Sequence, residues 1–392
     1  MPDVHLIPGF WKIDGYTKLL NQIQRNFVVE RNRNLFEFPY DWRRDNRVAA
    51  HRLARESHAW LKAWRESSGH ANAKLILVAH SMGGLVARHF LEALQGWQNT
   101  RMLITFGTPF RGALNALNFV CNGYQKNLGP IRVADLTELL RSFTSVYQLL
   151  PTYPCYDPGD GRLLRVGETK GIPGLDPDRA AKAPAFHREI DTHVGVHLND
   201  EMYKKNTYKL HPVVGTFQQT LQAAKLTSGK VLFSTRFPNQ DLDGDGTVPR
   251  PSATPNELSG QDAELFIAET HGSLQNSDPA LVQLSRLLSG TTLRWEAFWG
   301  PGALSIALHM EDSYTSKERV TVRARYEPSG LKLTLQATLT NLGTQKDAVV
   351  QLQHGSDGFH TARVGPLTAG TYRVTVTTGT DSVTDLFVVA NV

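Results

Sequence analysis

Residues 75–90 read Leu-Ile-Leu-Val-Ala-His-Ser-Met-Gly-Gly-Leu-Val-Ala-Arg-His-Phe. Four apolar residues, Leu75 to Val78, are followed by Ala79, His80, Ser81, Met82, Gly83 and Gly84, and then by a helical pattern with Leu85, Val86, Phe90 and Leu94 on one side. This is the grammar of a strand, a sharp turn and a helix, with Ser81 at the turn. Such a turn holds a serine in a strained backbone conformation and lifts its hydroxyl above the sheet edge. Ala79 and Gly83, two residues before and two after, are small enough for strand and helix to approach. The helix N-terminus behind Ser81 supplies partial positive charge and free N–H groups for a developing oxyanion.

A serine hydroxyl is a poor nucleophile at neutral pH and needs a base held by a third group. In this architecture the chain order is serine, acid, histidine. Asp243-Gly244-Asp245-Gly246-Thr247-Val248-Pro249 follows an apolar run at 231–234, and Glu269-Thr270-His271-Gly272 follows another at 264–268. Asp245 is the expected acid and His271 the expected base; Asp241 and Asp243 are the alternatives that would brace the acid turn. Asp241 to Gly246 also match the opening of a calcium loop. The twelfth position, where that loop needs a bidentate glutamate, is Ser252, and no helix evidently flanks it, so the calcium reading is declined. The oxyanion hole needs two N–H donors. Met82 is the expected first donor, and Phe10, in the Pro8-Gly9-Phe10-Trp11 loop after the first strand, is the second.

Outward from this centre, residues 4–7, 34–38, 75–79, 102–106, 231–234 and 264–268 read as strands. Helical periods lie between them, including one carrying Ala50, Leu53, Ala54, Leu61 and Trp64. The alternation predicts a mostly parallel sheet with helices on both faces, an α/β class fold over 1–298. It breaks at 109–230, which is rich in Gly, Pro and aromatics and too long for one loop. That segment is expected to be an inserted cap. Its strongest element is a helix predicted from Val133, Leu136, Leu139, Leu140, Phe143, Val146, Tyr147 and Leu150, ended by Pro151. The helix packs on the main domain and can border an acyl-chain pocket with the same face. After residue 299 the pattern changes to strands at 304–308, 319–326, 331–339, 348–352 and 372–377. This predicts a small all-β, immunoglobulin-like sandwich over 299–392.

The chain has 392 residues, 41% hydrophobic and 20% charged, which points to a folded globular protein of two domains. Its net charge of +5 is mild. Arg43, Arg44, Arg47, Arg52, Arg55, Lys62 and Arg65 fall in one stretch, read either as a solvated helix face or as an attraction to an anionic membrane. Two cysteines, Cys121 and Cys155, do not make a disulfide framework. No signal peptide and no spanning segment are visible, so a cytoplasmic protein with peripheral membrane contact is expected. No cofactor, no metal and no nucleic acid partner are expected; the β module is a candidate surface for a protein partner.

Several of these runs resemble the lecithin:cholesterol acyltransferase family of α/β-hydrolases, which includes lysosomal phospholipase A2 and phospholipid:diacylglycerol acyltransferase. The resemblance rests on Leu6-Ile7-Pro8-Gly9, Tyr40-Asp41-Trp42-Arg43, His80-Ser81-Met82-Gly83-Gly84, Gly107-Thr108-Pro109-Phe110-Arg111-Gly112, Leu149-Leu150-Pro151 and the Asp243–Pro249 run. It implies an α/β-hydrolase core with a cap, and an acyl-enzyme drawn from a glycerophospholipid. It places the nucleophile on Ser81, the acid on Asp245, the base on His271 and the oxyanion donors on Phe10 and Met82. Asp41 and Arg43 become a structural pair near the site. Ala79 stands where the family usually has glycine, Phe10-Trp11-Lys12 departs from its usual Gly-Ser loop, and the β module lies outside the resemblance. The expected activity is hydrolysis of a phospholipid or another acyl ester. The alternatives are acyl transfer to an alcohol, a partner- or membrane-binding protein with weak catalysis, and a regulated cytosolic effector that attacks membranes.

Overall fold

The computed structural model describes residues 5–7, 11–123, 125–128, 131–259, 265–290, 304–329, 331, 333–379 and 381–391. In chain order its main elements are α1 (Thr17–Asn26), α2 (Asn46–Ser68), β1 (Leu75–His80), α3 (Met82–Ala93), β2 (Thr100–Phe106), α4 (Leu114–Asn122), α5 (Pro184–His197), β3 (Lys209–Gly215), β4 (Leu265–Ile267) and α6 (Asp278–Ser289). β4, β3, β2 and β1 lie side by side in that order and all pair in parallel. A parallel sheet must be covered on both faces. α1 and α6 pack with Ile104, Phe106 and Val213 on one side; α2 and α3 pack with Leu103 on the other. Asp45 starts α2 by accepting the Arg47 N–H, and Gly69 ends it in a left-handed conformation.

Five expectations change. His5–Ile7 pairs antiparallel with Trp11–Ile13 in a separate two-stranded sheet and does not join the parallel one. Residues 34–38 form no strand, only an isolated bridge between Arg31 and Leu35; Phe36 and Phe38 instead pack on Trp60 of α2. The run at 231–234 belongs to Lys230–Ser234, which pairs with Ala223–Thr227 in a small separate sheet. The core strand leading to the acid is β3, which lies inside the stretch 109–230 expected to be all cap. Its polar start, Lys209-Leu210-His211-Pro212, hid it: only the second half is fully buried. The long helix expected over 133–150 is a strand, Ile131–Asp135, followed by two short helices, Thr137–Ser142 and Thr144–Gln148. Asp135 accepts the Thr137 N–H and so starts the first helix there, and Phe143 breaks the run with extended backbone.

The C-terminal region holds β5 (Ser305–His309), β6 (Ser313–Thr315), β7 (Val320–Glu327), β8 (Leu335–Asn341), β9 (Lys346–His354), β10 (His360–Val364), β11 (Gly370–Thr378) and β12 (Asp381–Ala390). They run in the order β5-β7-β10-β9-β8-β11-β12-β6. β9 pairs with β8 along its length and with β10 at its end, so it joins two halves of the array. Alternating burial along β7, β8 and β11 sends Val322, Ala337 and Val374 into one shared core. No described helix is long and apolar enough to cross a membrane.

Candidate active site

Ser81 sits between β1 and α3 with φ 53° and ψ −130°, a conformation L-residues rarely adopt. Three bonds hold it there. Its N–H donates to the Phe106 carbonyl at 2.8 Å. Its own carbonyl accepts from the Gly84 N–H at 3.0 Å and from the Thr108 hydroxyl at 2.9 Å. Gly84 must be glycine, because a Cβ there would meet Thr108 Oγ1 at 2.0 Å.

His271 reaches Ser81 from the loop after β4. Its Nε2 lies 2.9 Å from Ser81 Oγ, and its Nδ1 lies 2.7 Å from Asp245 Oδ2. Asp245 is 1% exposed, and its other oxygen accepts the N–H groups of Thr247 at 2.9 Å and Val248 at 2.7 Å. The carboxylate is thereby fixed with one oxygen aimed at the imidazole. The backbone joins the two turns as well, because the His271 N–H donates to the Asp245 carbonyl at 2.8 Å. With Asp245 receiving at Nδ1–H, His271 presents an unprotonated Nε2 to the hydroxyl.

The channel through which the acid meets the base is moulded by glycines. A Cβ on Gly107, whose φ is +57°, would lie 2.8 Å from Asp245 Oδ2 and 2.9 Å from His271 Nδ1. A Cβ on Gly215, at the end of β3, would meet the Asp245 Cβ at 2.4 Å. His80 adds a second imidazole beneath the first. Its Nε2 donates to the His271 carbonyl at 2.9 Å, and its Nδ1 accepts from the Tyr16 hydroxyl at 3.3 Å. Burial, then the neighbouring His271, push its pKa down to about 3, so it is a neutral brace.

Asp241 and Asp243 brace the acid turn. Asp241 accepts from the Gln222 side chain at 2.6 Å and from the Asp243 N–H at 2.8 Å; Asp243 accepts the N–H groups of Gly244 and Phe217. Met82 opens α3 beside Ser81, where the first N–H groups of a helix have no partner inside it. Phe10 lies outside the described residues. Asp41 and Arg43 form a bidentate pair at 2.7 and 3.0 Å on the surface, while Trp42 between them packs against the apolar cluster that contains Met82 and Leu85. Within the basic stretch, Arg47 is paired with Glu189, Arg52 with Glu56, and Arg65 donates to the Ala73 carbonyl.

Ser81, Asp245 and His271 open into a cavity of about 260 Å³. Its apolar lining includes Ala113, Ala116 and Phe119 at the start and along α4, and Leu149. The C-terminal region contributes Leu308, His309 and Met310 to the lining. The roles of Gly107 and Thr108 are not legible in the sequence; a glycine directly after a core strand is the one signal it carries. Gln218 and Glu269, which tie the C-terminal region to this site, carried none.

A serine at a strained strand-to-helix turn, facing a histidine and an aspartate from later loops of one parallel sheet, defines an α/β-hydrolase architecture. Residues 10–168 match the sequence model of the family described as lecithin:cholesterol acyltransferase. The Arabidopsis thaliana protein named lecithin-cholesterol acyltransferase-like 4 is 30% identical over 316 residues, 66% of this chain and 56% of that one. The protein of Canis lupus familiaris named lysosomal phospholipase A and acyltransferase is 29% identical over 127 residues, 31% of this chain and 29% of its own. The Bos taurus protein of the same name is 29% identical over 157 residues, covering 39% and 37%. The chain thus spans little over half the plant relative and much less of the mammalian ones. Over that stretch it is similar to the lecithin:cholesterol acyltransferase family. The Bacillus licheniformis lipase BlEst2 in propeptide form overlaps 90% of this chain and 65% of its own at 16% identity, with a TM-score of 0.33, too low to bear on the fold.

Proposed function

We propose that this chain is a serine-dependent lipid ester hydrolase, a phospholipase acting on glycerophospholipids through an acyl-enzyme. The observation that supports it most is the continuous line from Ser81 Oγ through His271 to Asp245, with spacings of 2.9 and 2.7 Å. His271 Nε2 takes the Ser81 proton as Oγ bonds to the ester carbonyl carbon. Asp245 holds the tautomer and stabilises the imidazolium. The N–H of Met82, with that of Phe10, receives the oxyanion. Collapse breaks the bond to the alcohol, which leaves with the proton from His271. Water then gives its proton to His271 as its oxygen attacks the acyl carbon. The acid departs and the proton returns to Ser81. The C-terminal region is assigned to the immunoglobulin-like sandwich type.

A second reading follows from the relatives, whose names include acyltransferase. An alcohol in place of water would resolve the same acyl-enzyme. Mass spectrometry of mixed phospholipid vesicles with the full-length chain separates the two. Free fatty acid with lysophospholipid, absent with Ser81→Ala, is the expected result; a new ester at an added alcohol would establish transfer. Vesicles unchanged by the wild type would refute a phospholipid substrate.

A further inference from the structure

The C-terminal β module is fastened to the two turns that carry the acid and the base. Gln218, 4% exposed, bonds to the acid turn by its backbone, with its N–H donating to the Gly244 carbonyl at 2.9 Å. Its side chain then grips β5: Nε2 donates to the Ile306 carbonyl at 2.9 Å and Oε1 accepts the Leu308 N–H at 3.0 Å. On the other side of the site, the two residues before His271 hold β12. Glu269 Oε1 accepts the Thr384 N–H at 2.9 Å, and the Thr270 hydroxyl donates to the Thr384 carbonyl. Arg373 of β11 donates from Nε to Asp14 at 2.8 Å, close behind the same loop. A side-chain amide making both backbone bonds of a strand residue pair fixes that strand in register, as a neighbouring strand would.

This docking delivers Leu308 and Met310 to the cavity that holds Ser81 and His271. Ala116 and Phe119 of α4 line the same cavity. A cavity of about 260 Å³ lies just below the roughly 300–1,000 Å³ of ligand pockets, so an occupant that reaches Ser81 shares a small space with Met310 and Phe119. On the reading of Ser81 as nucleophile, we infer that the β module is part of the active site and that Met310, at the end of β5, is a specificity-determining residue for the acyl ester. Leu308 is buried in the module's core, whereas Met310 only borders that core, so Met310 can be changed with the module intact.

The test uses the full-length chain and p-nitrophenyl esters from acetate to palmitate, with Met310→Ala to enlarge the cavity and Met310→Trp to fill it. A few methylenes of apolar pocket discriminate by roughly 10–200-fold. The ratio of kcat/KM for long over short esters is expected to rise about tenfold in the first variant and fall about tenfold in the second. Profiles that superimpose on wild type in both variants, with unchanged melting temperatures, overturn the inference. Labelling of the wild type by a fluorophosphonate separates this from failure of the underlying reading: a labelled wild type with superimposed profiles sinks the module wall alone, whereas an unlabelled, inactive wild type sinks both. Either variant suffices, since filling does not risk the cavity that truncation creates.

Discussion

Gly107→Ala is the most exacting perturbation, because the added atom presses on the acid and the base at once. A Cβ at residue 107 would stand 2.8 Å from Asp245 Oδ2 and 2.9 Å from His271 Nδ1, both inside van der Waals contact. Neither partner is the free end of a flexible chain: Asp245 is pinned by two N–H groups, and His271 by its backbone bond. The φ of +57° costs an L-residue about 1–2 kcal/mol, and overpacking adds about 1–3 kcal/mol. Relief requires the imidazole or the carboxylate to move by several tenths of an ångström, which lengthens the 2.7 Å bond between them. Misplacement of about 1 Å costs about 100-fold in rate, and loss of the correct tautomer as much as about 10⁴-fold. The expected outcome is a fall of about 10²–10⁴ in kcat for a p-nitrophenyl ester, with a melting temperature lowered by several degrees. Activity within threefold of wild type in a folded protein would refute the reasoning.

The remaining predictions concern the supports of the site. Burial, reinforced by Asp385 and Asp14, raises the Glu269 pKa to about 8, so folded protein holds a proton that unfolded chain loses near 4.5. Stability from this group is therefore complete below about pH 4.5 and is lost as pH rises through 8. Glu269→Gln, which keeps the acceptor for Thr384, is expected to melt higher than wild type at pH 9 while closing the gap at pH 5, by scanning calorimetry. His80 acts in the opposite sense. Its folded pKa of about 3 lies below the ordinary 6.5, so its contribution is present above 6.5 and is lost as pH falls toward 3. His80→Asn should flatten the acid limb of melting temperature against pH. Arg88 is fully buried against Glu92, which also receives the hydroxyls of Tyr203 and Tyr208 at 3.0 and 2.6 Å. Arg88→Met takes the arginine away from that carboxylate, leaving it the two hydroxyls and His197 Nδ1 at 2.7 Å, and should destabilise the chain by about 3–5 kcal/mol in urea unfolding.

The part of the site legible in the sequence was the part with local chemistry. Ser81 announced itself by small residues at fixed offsets in a strand–helix junction, and Asp245 and His271 by loops placed after apolar runs. The geometry brings those three together, though the run before the acid was misread. Lys209-Leu210-His211-Pro212 opens a core strand with two polar side chains and a proline, so composition assigned it to the insertion and gave its place to 231–234. Periodicity failed at 133–150 for a different reason: apolar residues at three- and four-residue steps also fit two short helices separated by extended backbone at Phe143. In the C-terminal region the alternation along β7, β8 and β11 was plain, while β6, β10 and β12 were not picked out. Contacts of high sequence separation, such as Gln218 with Leu308, leave no periodic trace, because a lone polar residue looks the same in a loop as in a clamp.

Mapping a fluorophosphonate adduct by peptide mass spectrometry bears most directly on the central claim. A single modified residue, Ser81, is the expected result, with labelling abolished in Ser81→Ala and slowed at least 100-fold in His271→Ala. An adduct on a different residue, or labelling of Ser81 at the wild-type rate when the imidazole is gone, would contradict it.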